Sequence, residues 1–266
     1  MKFEEVCRIR DDRKRLEATY HFFDENTRLN HSKAARVEFL TNMRYIERYL
    51  HPDARILDVG AGAGEYSLAL ARKGYQVDAL ELTDVNIRAF QSKLKQNDSI
   101  NLVQGNAVDL SRYEDETFDA VLVFGPLYHL RKQEEQQKCI AEAKRICKKD
   151  GKLLFTFICN DMVIITEMAR CTRYLTVGDY DKNSFQLHNF PFFVFHTVES
   201  CRQMLHQGGI AILHEVASDG VSELLADRIN EMDDVSYAQY LRYHEYICEK
   251  PEFLGMSNHL LFVGEK

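Results

Sequence analysis

Arg55-Ile56-Leu57-Asp58-Val59-Gly60-Ala61-Gly62-Ala63-Gly64-Glu65-Tyr66 is the stretch on which the reading of this chain turns. Ile56 to Val59 is a short, mainly apolar run, the pattern of a strand buried on both faces. Three glycines at alternate positions follow it. A helical pattern begins near Glu65, turns Leu68, Ala69 and Ala71 inward, and stops at Gly74, a helix C-cap. Strand, glycine turn and helix start together form a cradle. Without a Cβ, backbone N–H groups at such a turn can lie directly against a ligand.

The spacing narrows the ligand. A dinucleotide site needs G-x-G-x-x-G. Here the third glycine comes one residue early, and Glu65 stands in the dinucleotide position. Asp58, two places before the first glycine, adds a second acid. Both would repel a pyrophosphate, whereas a ligand carrying a cationic amino group would be attracted. These residues resemble motif I of the class I S-adenosylmethionine (SAM)-dependent methyltransferases, and within them the bacterial small-molecule type that includes the ubiquinone and menaquinone biosynthesis enzymes. The resemblance implies an α/β fold, a doubly wound, seven-stranded, mostly parallel Rossmann-like sheet with cap insertions, and SAM as cofactor. A glycine turn that holds no ligand is the competing reading, and Asp58 and the downstream features weigh against it.

Composition bounds the rest. The chain has 266 residues, 45% of them hydrophobic, and a net charge of −7. That suffices for one large domain. The richest basic stretch, Arg8 to Arg15, is broken by Asp11 and Asp12, which disfavours a nucleic-acid partner. The start, Met1-Lys2-Phe3-Glu4-Glu5, lacks a signal-peptide apolar core, and no apolar run is long enough for a bilayer. A cytoplasmic location without a membrane partner is the expectation. The seven cysteines are scattered, odd in number and never in C-x-x-C. They read as reduced core thiols, with no disulfide framework, metal site or thiol catalysis.

In chain order, residues 1–50 read as an N-terminal helical cover. It carries the aromatic cluster Tyr20-His21-Phe22-Phe23 and a helix capped by Ser32, with Val37, Leu40, Met43, Ile46 and Leu50 at helical spacing. Gln76 to Leu82 is a second strand. It ends at Glu81, about 20 residues past the glycines, the spacing at which a carboxylate reaches a ribose diol. A helix from Thr83 or Asp84 to about Gln96 follows, then a third strand, Ile100 to Gln104. Phe118 to Phe124 is a fourth buried strand. A charged helix from Arg131 to Lys149 closes at Asp150-Gly151, before a fifth strand from Lys152 to Ile158. The resemblance covers residues 54–158, the SAM-binding core of a single domain spanning 1–266. Later strands are expected at Ile210 to Val216 and, antiparallel, at His259 to Val263, with a helix capped by Thr197 before the first of them. Two stretches, 160–195 and 218–257, leave the sheet on the ligand side and read as caps over an acceptor pocket. The first carries Arg170, Arg173, Tyr174, His188, Phe190, Phe192, Phe193 and Phe195. The second carries Tyr237, Tyr240, Leu241, His244, Ile247 and Cys248, a stripe that also fits plain helix packing.

The resemblance also implies roles. Gly60, Ala61, Gly62 and Gly64 form the loop beside the methionine part, and Asp58 meets its amino group. Glu81 holds the ribose, with Leu82 against the adenine. Gly105 to Leu110 resembles the family's adenine-binding "GDA-x-x-L" segment, but Asn106 replaces the usual aspartate. Its carbonyl can still accept the adenine amino bond, with Ala107 beside it. Asp109 is a second candidate, or else caps the turn at Ser111-Arg112. Phe124 and Gly125 lie beneath the donor methyl. Position in the chain alone, and not the resemblance, assigns Tyr20 and Arg28 of the N-terminal cover to the methionine carboxylate. Gly125-Pro126-Leu127-Tyr128-His129-Leu130 resembles the post-strand-four motif of small-molecule methyltransferases and departs from N-P-P-Y. In it His129 is a candidate general base, or else a loop-ordering histidine. The implied activity is in-line methyl transfer from SAM to a small-molecule acceptor. The alternatives are a non-catalytic SAM-binding protein and a nicotinamide-dependent oxidoreductase, the latter lacking its glycine fingerprint.

Overall fold

The run that opens the sequence argument becomes β1 (Arg55–Val59), flanked in parallel by β2 (Gln76–Glu81) and β4 (Phe118–Val123). The computed structural model describes residues 5, 6, 9, 11–20, 25–188 and 192–266. His21, Phe22, Phe23 and Phe190 lie outside the described residues. β3 (Ile100–Gln104) extends the sheet beside β2, and β5 (Cys147–Cys159) lies beside β4, both in parallel. The last strand, β8 (His259–Glu265), runs antiparallel between β5 and β7 (Ala211–Ala217). The order is therefore β3-β2-β1-β4-β5-β8-β7, the expected seven strands. A two-residue β6 (Phe195–His196) pairs with β5 as an eighth, off the main path.

Strand alternation fixes the two layers. Leu57, Val59, Val121, Val123, Phe155 and Phe157 point to one face, where α5 (Gln133–Ile146) and α8 (Val198–Gln207) cover them. Ile56, Ala120, Leu122 and Leu154 point to the other face. There they meet Phe39, Met43 and Ile46 of α2 (Lys33–Glu47) and Tyr66 and Leu70 of α3 (Glu65–Arg72). Ser32 caps α2 by accepting from the Ala35 N–H. Between β2 and β3 lies α4 (Asp84–Lys93), which begins after Thr83 as expected but ends three residues early. Asp98 accepts from the Lys95 N–H there and turns the chain before Gln96.

One boundary differs substantially. The helix expected to reach Lys149 stops at Ile146, and β5 begins at Cys147, taking in Lys148, Lys149, Asp150 and Gly151. Cys147 pairs with Phe118 across an irregular register, and Lys148 donates to Asp119 Oδ1 at 2.8 Å. The charged run is thus a bulged extension of the strand, lying between the Cys147 and Lys152 pairs. A hydrophobic pattern cannot reveal it, because its side chains are polar.

The two presumed caps also separate. After β5 come α6 (Asn160–Arg170) and α7 (Tyr174–Val177), followed by a bridge between Tyr180 and Leu187. Arg170 pairs with Glu167 and Glu223, and His188 pairs with Asp179. The 218–257 stretch forms α9 (Ala226–Asn230), α10 (Asp234–Ile247) and α11 (Pro251–Leu254). It docks on α2: Asn230 Oδ1 accepts from the Ala34 N–H, and the Tyr237 hydroxyl donates to the Lys33 carbonyl at 2.7 Å. Cys139, Cys147, Cys159, Cys201 and Cys248 are buried thiols, and Cys171 is exposed. No helix among the described residues is long and apolar enough to cross a membrane.

Candidate active site

The sheet order reverses between β1 and β4, and ligands of open α/β sheets bind at the carboxyl end of such a switch point. A cavity of about 310 Å³ opens there. Leu80, Glu81 and Leu82 line it from β2, and Gly105, Asn106, Ala107 and Val108 from the loop after β3. Phe124, Gly125, Pro126, Tyr128 and His129 line it from the loop after β4. A smaller cavity of about 30 Å³ adjoins the glycine loop, bounded by Asp58, Gly60, Ala61, Gly62, Glu25, Arg28, Glu38, Tyr66 and Tyr128 among others.

The glycines are present for three different reasons. All three have positive φ, +79°, +55° and +85° at Gly60, Gly62 and Gly64, which favours glycine at each. A Cβ on Gly60 would strike Pro126 Cδ at 2.7 Å, so this glycine lets the post-β4 loop close over β1. A Cβ on Gly62 would meet Glu25 Cγ at 3.3 Å, on the cavity side. A Cβ on Gly64 would sit 2.4 Å from the Phe90 ring of α4. Gly64 lines neither cavity, so its role in this fold is helix packing beneath the loop, not the ligand approach expected from its place in the triplet.

Asp58 is nearly fully buried, on the α3 face of β1. Ser67 Oγ donates to its Oδ2 at 2.6 Å, while Oδ1 has no partner. Burial, with the Glu81 charge adding to it, pushes the carboxyl up to about 7. A buried carboxylate oxygen without a donor, facing a gap beside N–H-rich glycines, is suited to an ammonium group. Glu81 is also buried. Its Oε2 accepts from the Gly62 N–H at 3.0 Å, and its Oε1 accepts from the Thr83 N–H and hydroxyl and, at 3.4 Å, from Asn86. It therefore fixes the glycine loop to the β2 end as well as facing the cavity. Asn106 is exposed and its Oδ1 accepts from the Val108 N–H, an Asx turn. Asp109 accepts from the Ser111 N–H, the turn-capping role.

The N-terminal cover closes one side. α1 (Asp12–Thr19) begins after Asp11, which accepts from the Lys14 N–H, and Arg13, Leu16 and Tyr20 line the cavity. Tyr20 meets His129 Nε2 at 3.3 Å. His129 Nδ1 lies 2.9 Å from the Phe192 carbonyl, which can only accept, so Nδ1 carries the proton and Nε2 takes the tyrosine hydroxyl. Burial lowers the ring to about 4. His129 is thus neutral with both nitrogens engaged, which fits loop ordering and leaves no free lone pair for the expected base. Val194 N–H donates to the Tyr128 carbonyl, completing a strap over the post-β4 loop in which Phe193 lines the cavity. Of 160–195 this strap residue lines the cavity, and no residue of 218–257 does.

Arg28 is held in place by acids: Nη1 and Nη2 reach Glu38 at 2.6 and 3.3 Å, and Nε reaches Glu25 at 3.1 Å. Glu38 in turn faces His259, whose Nδ1 lies 2.7 Å from Asp219 Oδ2 and 3.4 Å from Glu38 Oε2. Glu38, Asp219 and His259 are grouped closely enough to hold a metal ion, but the Arg28 fork already occupies Glu38 and an imidazole N–H occupies Asp219. Sequence reasoning missed Glu25, Glu38, Asp219 and the cavity role of His259. They come from four separated segments, and only a buried charge within the α2 stripe, Glu38 between Val37 and Phe39, offered a signal.

A switch-point cavity, a left-handed glycine loop and acids at the ends of β1 and β2 are the arrangement of a Rossmann-like, class I SAM-dependent methyltransferase core. Residues 57–155 match the methyltransferase domain family, a match that covers less than half of the chain. The chain is 35% identical over 101 residues to a demethylmenaquinone methyltransferase of Clavibacter sepedonicus, covering 38% of this chain and 39% of that protein. It is 30% identical to a ribosomal protein L11 methyltransferase of Desulfitobacterium hafniense, covering 41% and 33%. The solved structure of a SAM-dependent methyltransferase from Methanosarcina mazei shares the fold, with a TM-score of 0.54, 18% identity and coverage of 84% and 96%. The chain spans between 33% and 59% of the length of these and other curated relatives that it matches.

Proposed function

We propose that the protein transfers the methyl group of SAM to a small-molecule acceptor by in-line displacement. Asp58 carries this reading: a buried carboxylate oxygen without a donor, set beside a glycine loop, is made for the cofactor's ammonium group. SAM supplies a methyl carbon already activated by a positive sulfur. The chain therefore has to align, enclose and exclude water more than to activate.

In this reading the Gly60–Gly62 loop bounds the methionine part, and Arg28 faces its carboxylate. Glu81 takes the ribose through Oε2, its less occupied oxygen, because Oε1 already accepts from Thr83 and Asn86. Leu82, Asn106 and Ala107 edge the adenine, and Phe124 and Gly125 lie under the transferred methyl. Tyr20 and His129 tie the N-terminal cover to the strap and so keep water out. A small acceptor is favoured by the enclosure from α1 and Phe193 and by the acidic net charge of −7.

Calorimetric SAM binding, followed by assay of S-adenosylhomocysteine with small-molecule and protein acceptors, tests the reading. Failure to bind SAM overturns it; binding without turnover on any acceptor makes this a SAM-binding protein. Glu81→Ala is expected to weaken SAM by about 1–3 kcal/mol through lost charged hydrogen bonds. Unchanged affinity would remove Glu81 from the ribose role.

A further inference from the structure

We propose that His259 anchors an anionic oxygen of the methyl acceptor, so that the acceptor is a carboxylic acid or a comparable small anion. The proposal rests on the methyltransferase reading for the word acceptor; the anion site itself stands on geometry. His259 opens β8 opposite Ile158 of β5, and both residues line the large cavity together with Phe124 and Gly125. Its Nδ1 is turned away from that space, toward Asp219 and Glu38. Carboxylates only accept, so Nδ1 is a donor. Asp219 is itself fixed by the Ser257 hydroxyl at 2.5 Å and the His259 N–H at 3.1 Å, which makes the ring's orientation rigid. Nε2 has no partner among the described residues, and the side chain keeps 20% of its surface exposed.

The groups around the ring decide its charge. Asp219 comes from the segment after β7, Glu38 from α2 and Arg28 from the segment before α2, and His244 of α10 lies beyond Asp219. Burial opposes protonation, but the two carboxylates outweigh it and raise the ring to about 9. At neutral pH the ring is therefore an imidazolium with one N–H spent on Asp219 and one left over. An unspent, charged N–H on a ring that lines a cavity is satisfied by an acceptor atom, most strongly by an anion. His129, the other histidine lining the cavity, is neutral and has both nitrogens engaged, so it cannot serve this way.

The test uses the full chain saturated with S-adenosylhomocysteine and titrated with matched acid and amide pairs: acetate and acetamide, glycine and glycinamide, benzoate and benzamide. At least one acid should bind tenfold or more tightly than its amide. The His259 ring, followed by NMR, should titrate near 9 in the free protein and higher in the acid complex. His259→Gln should abolish the acid preference and leave S-adenosylhomocysteine affinity within twofold. Should that variant not fold, Asp219→Asn keeps the ring and should lower its titration and the acid preference together. A ring titrating near 6.5, equal binding of acids and amides, or no acid binding at all would overturn the proposal. Loss of S-adenosylhomocysteine binding in the unmodified protein would instead overturn the methyltransferase reading, and the ring titration would still report on the anion site.

Discussion

Gly64→Val is expected to destabilise the fold by about 2–6 kcal/mol, a large part of the roughly 5–15 kcal/mol that separates folded from unfolded chains. Two effects add. The backbone at this position has φ +85°, which costs a β-branched residue about 1–3 kcal/mol. Its Cβ would also land 2.4 Å from the Phe90 ring, and Phe90 is fully buried between α3, α4 and the sheet, so neither side can yield cheaply. Overpacking of this kind adds about 1–3 kcal/mol. At about 2–4 °C per kcal/mol for a chain of this size, thermal unfolding should shift by roughly 4–24 °C. Gly74→Val is the control. It has a similar φ of +98° but nothing within 4 Å, so it should show only the backbone part. Equal shifts in the two variants would mean that contact with Phe90 is not what excludes a side chain at Gly64.

The second large effect is on cofactor affinity and its pH dependence. Asp58 has its carboxyl raised to about 7 by burial, yet it must be ionised to meet an ammonium group. Binding therefore releases a proton wherever Asp58 starts protonated. SAM affinity should fall as pH falls below 7, approaching tenfold per unit between 7 and 5, and level off above 7. Asp58→Asn should remove this slope and lower affinity at pH 8 by about 1.5–3 kcal/mol, the range for a charged hydrogen bond. Calorimetry across pH 5–8 reads both, and a flat profile in the unmodified protein would take Asp58 out of the amino-group role. Stability without ligand carries the same sign. Because the folded value lies above the unfolded one near 3.8, this group's favourable contribution is complete below about pH 4 and is lost as pH rises through 7. His259, raised to about 9, behaves likewise at higher pH: its contribution holds below about 6.5 and fades through 9.

Much of the sheet was legible because its central strands are apolar runs punctuated by glycines and acids. β1, β2, β3 and β4 fall within a residue of where the pattern put them. The start of β5 was not legible, since Lys148 to Gly151 form a polar bulge between the Cys147 and Lys152 pairs that side-chain hydrophobicity does not encode. In the site, Asp58 and Glu81 could be read because their meaning is local, one strand length from a glycine turn. Gly64 carried a misleading signal: one residue type served two physical needs, loop conformation and contact with Phe90, and spacing cannot separate them. His259 could not be placed. Its partner Glu38 lies 221 positions away, and only the folding of β8 against β5 and α2 brings them together.

The neutral imidazole of His129 holds Tyr20 on one nitrogen and the Phe192 carbonyl on the other. Two covers from well-separated parts of the sequence thus meet on one ring. Loss of this one imidazole would therefore cost the N-terminal cover and the strap a contact each.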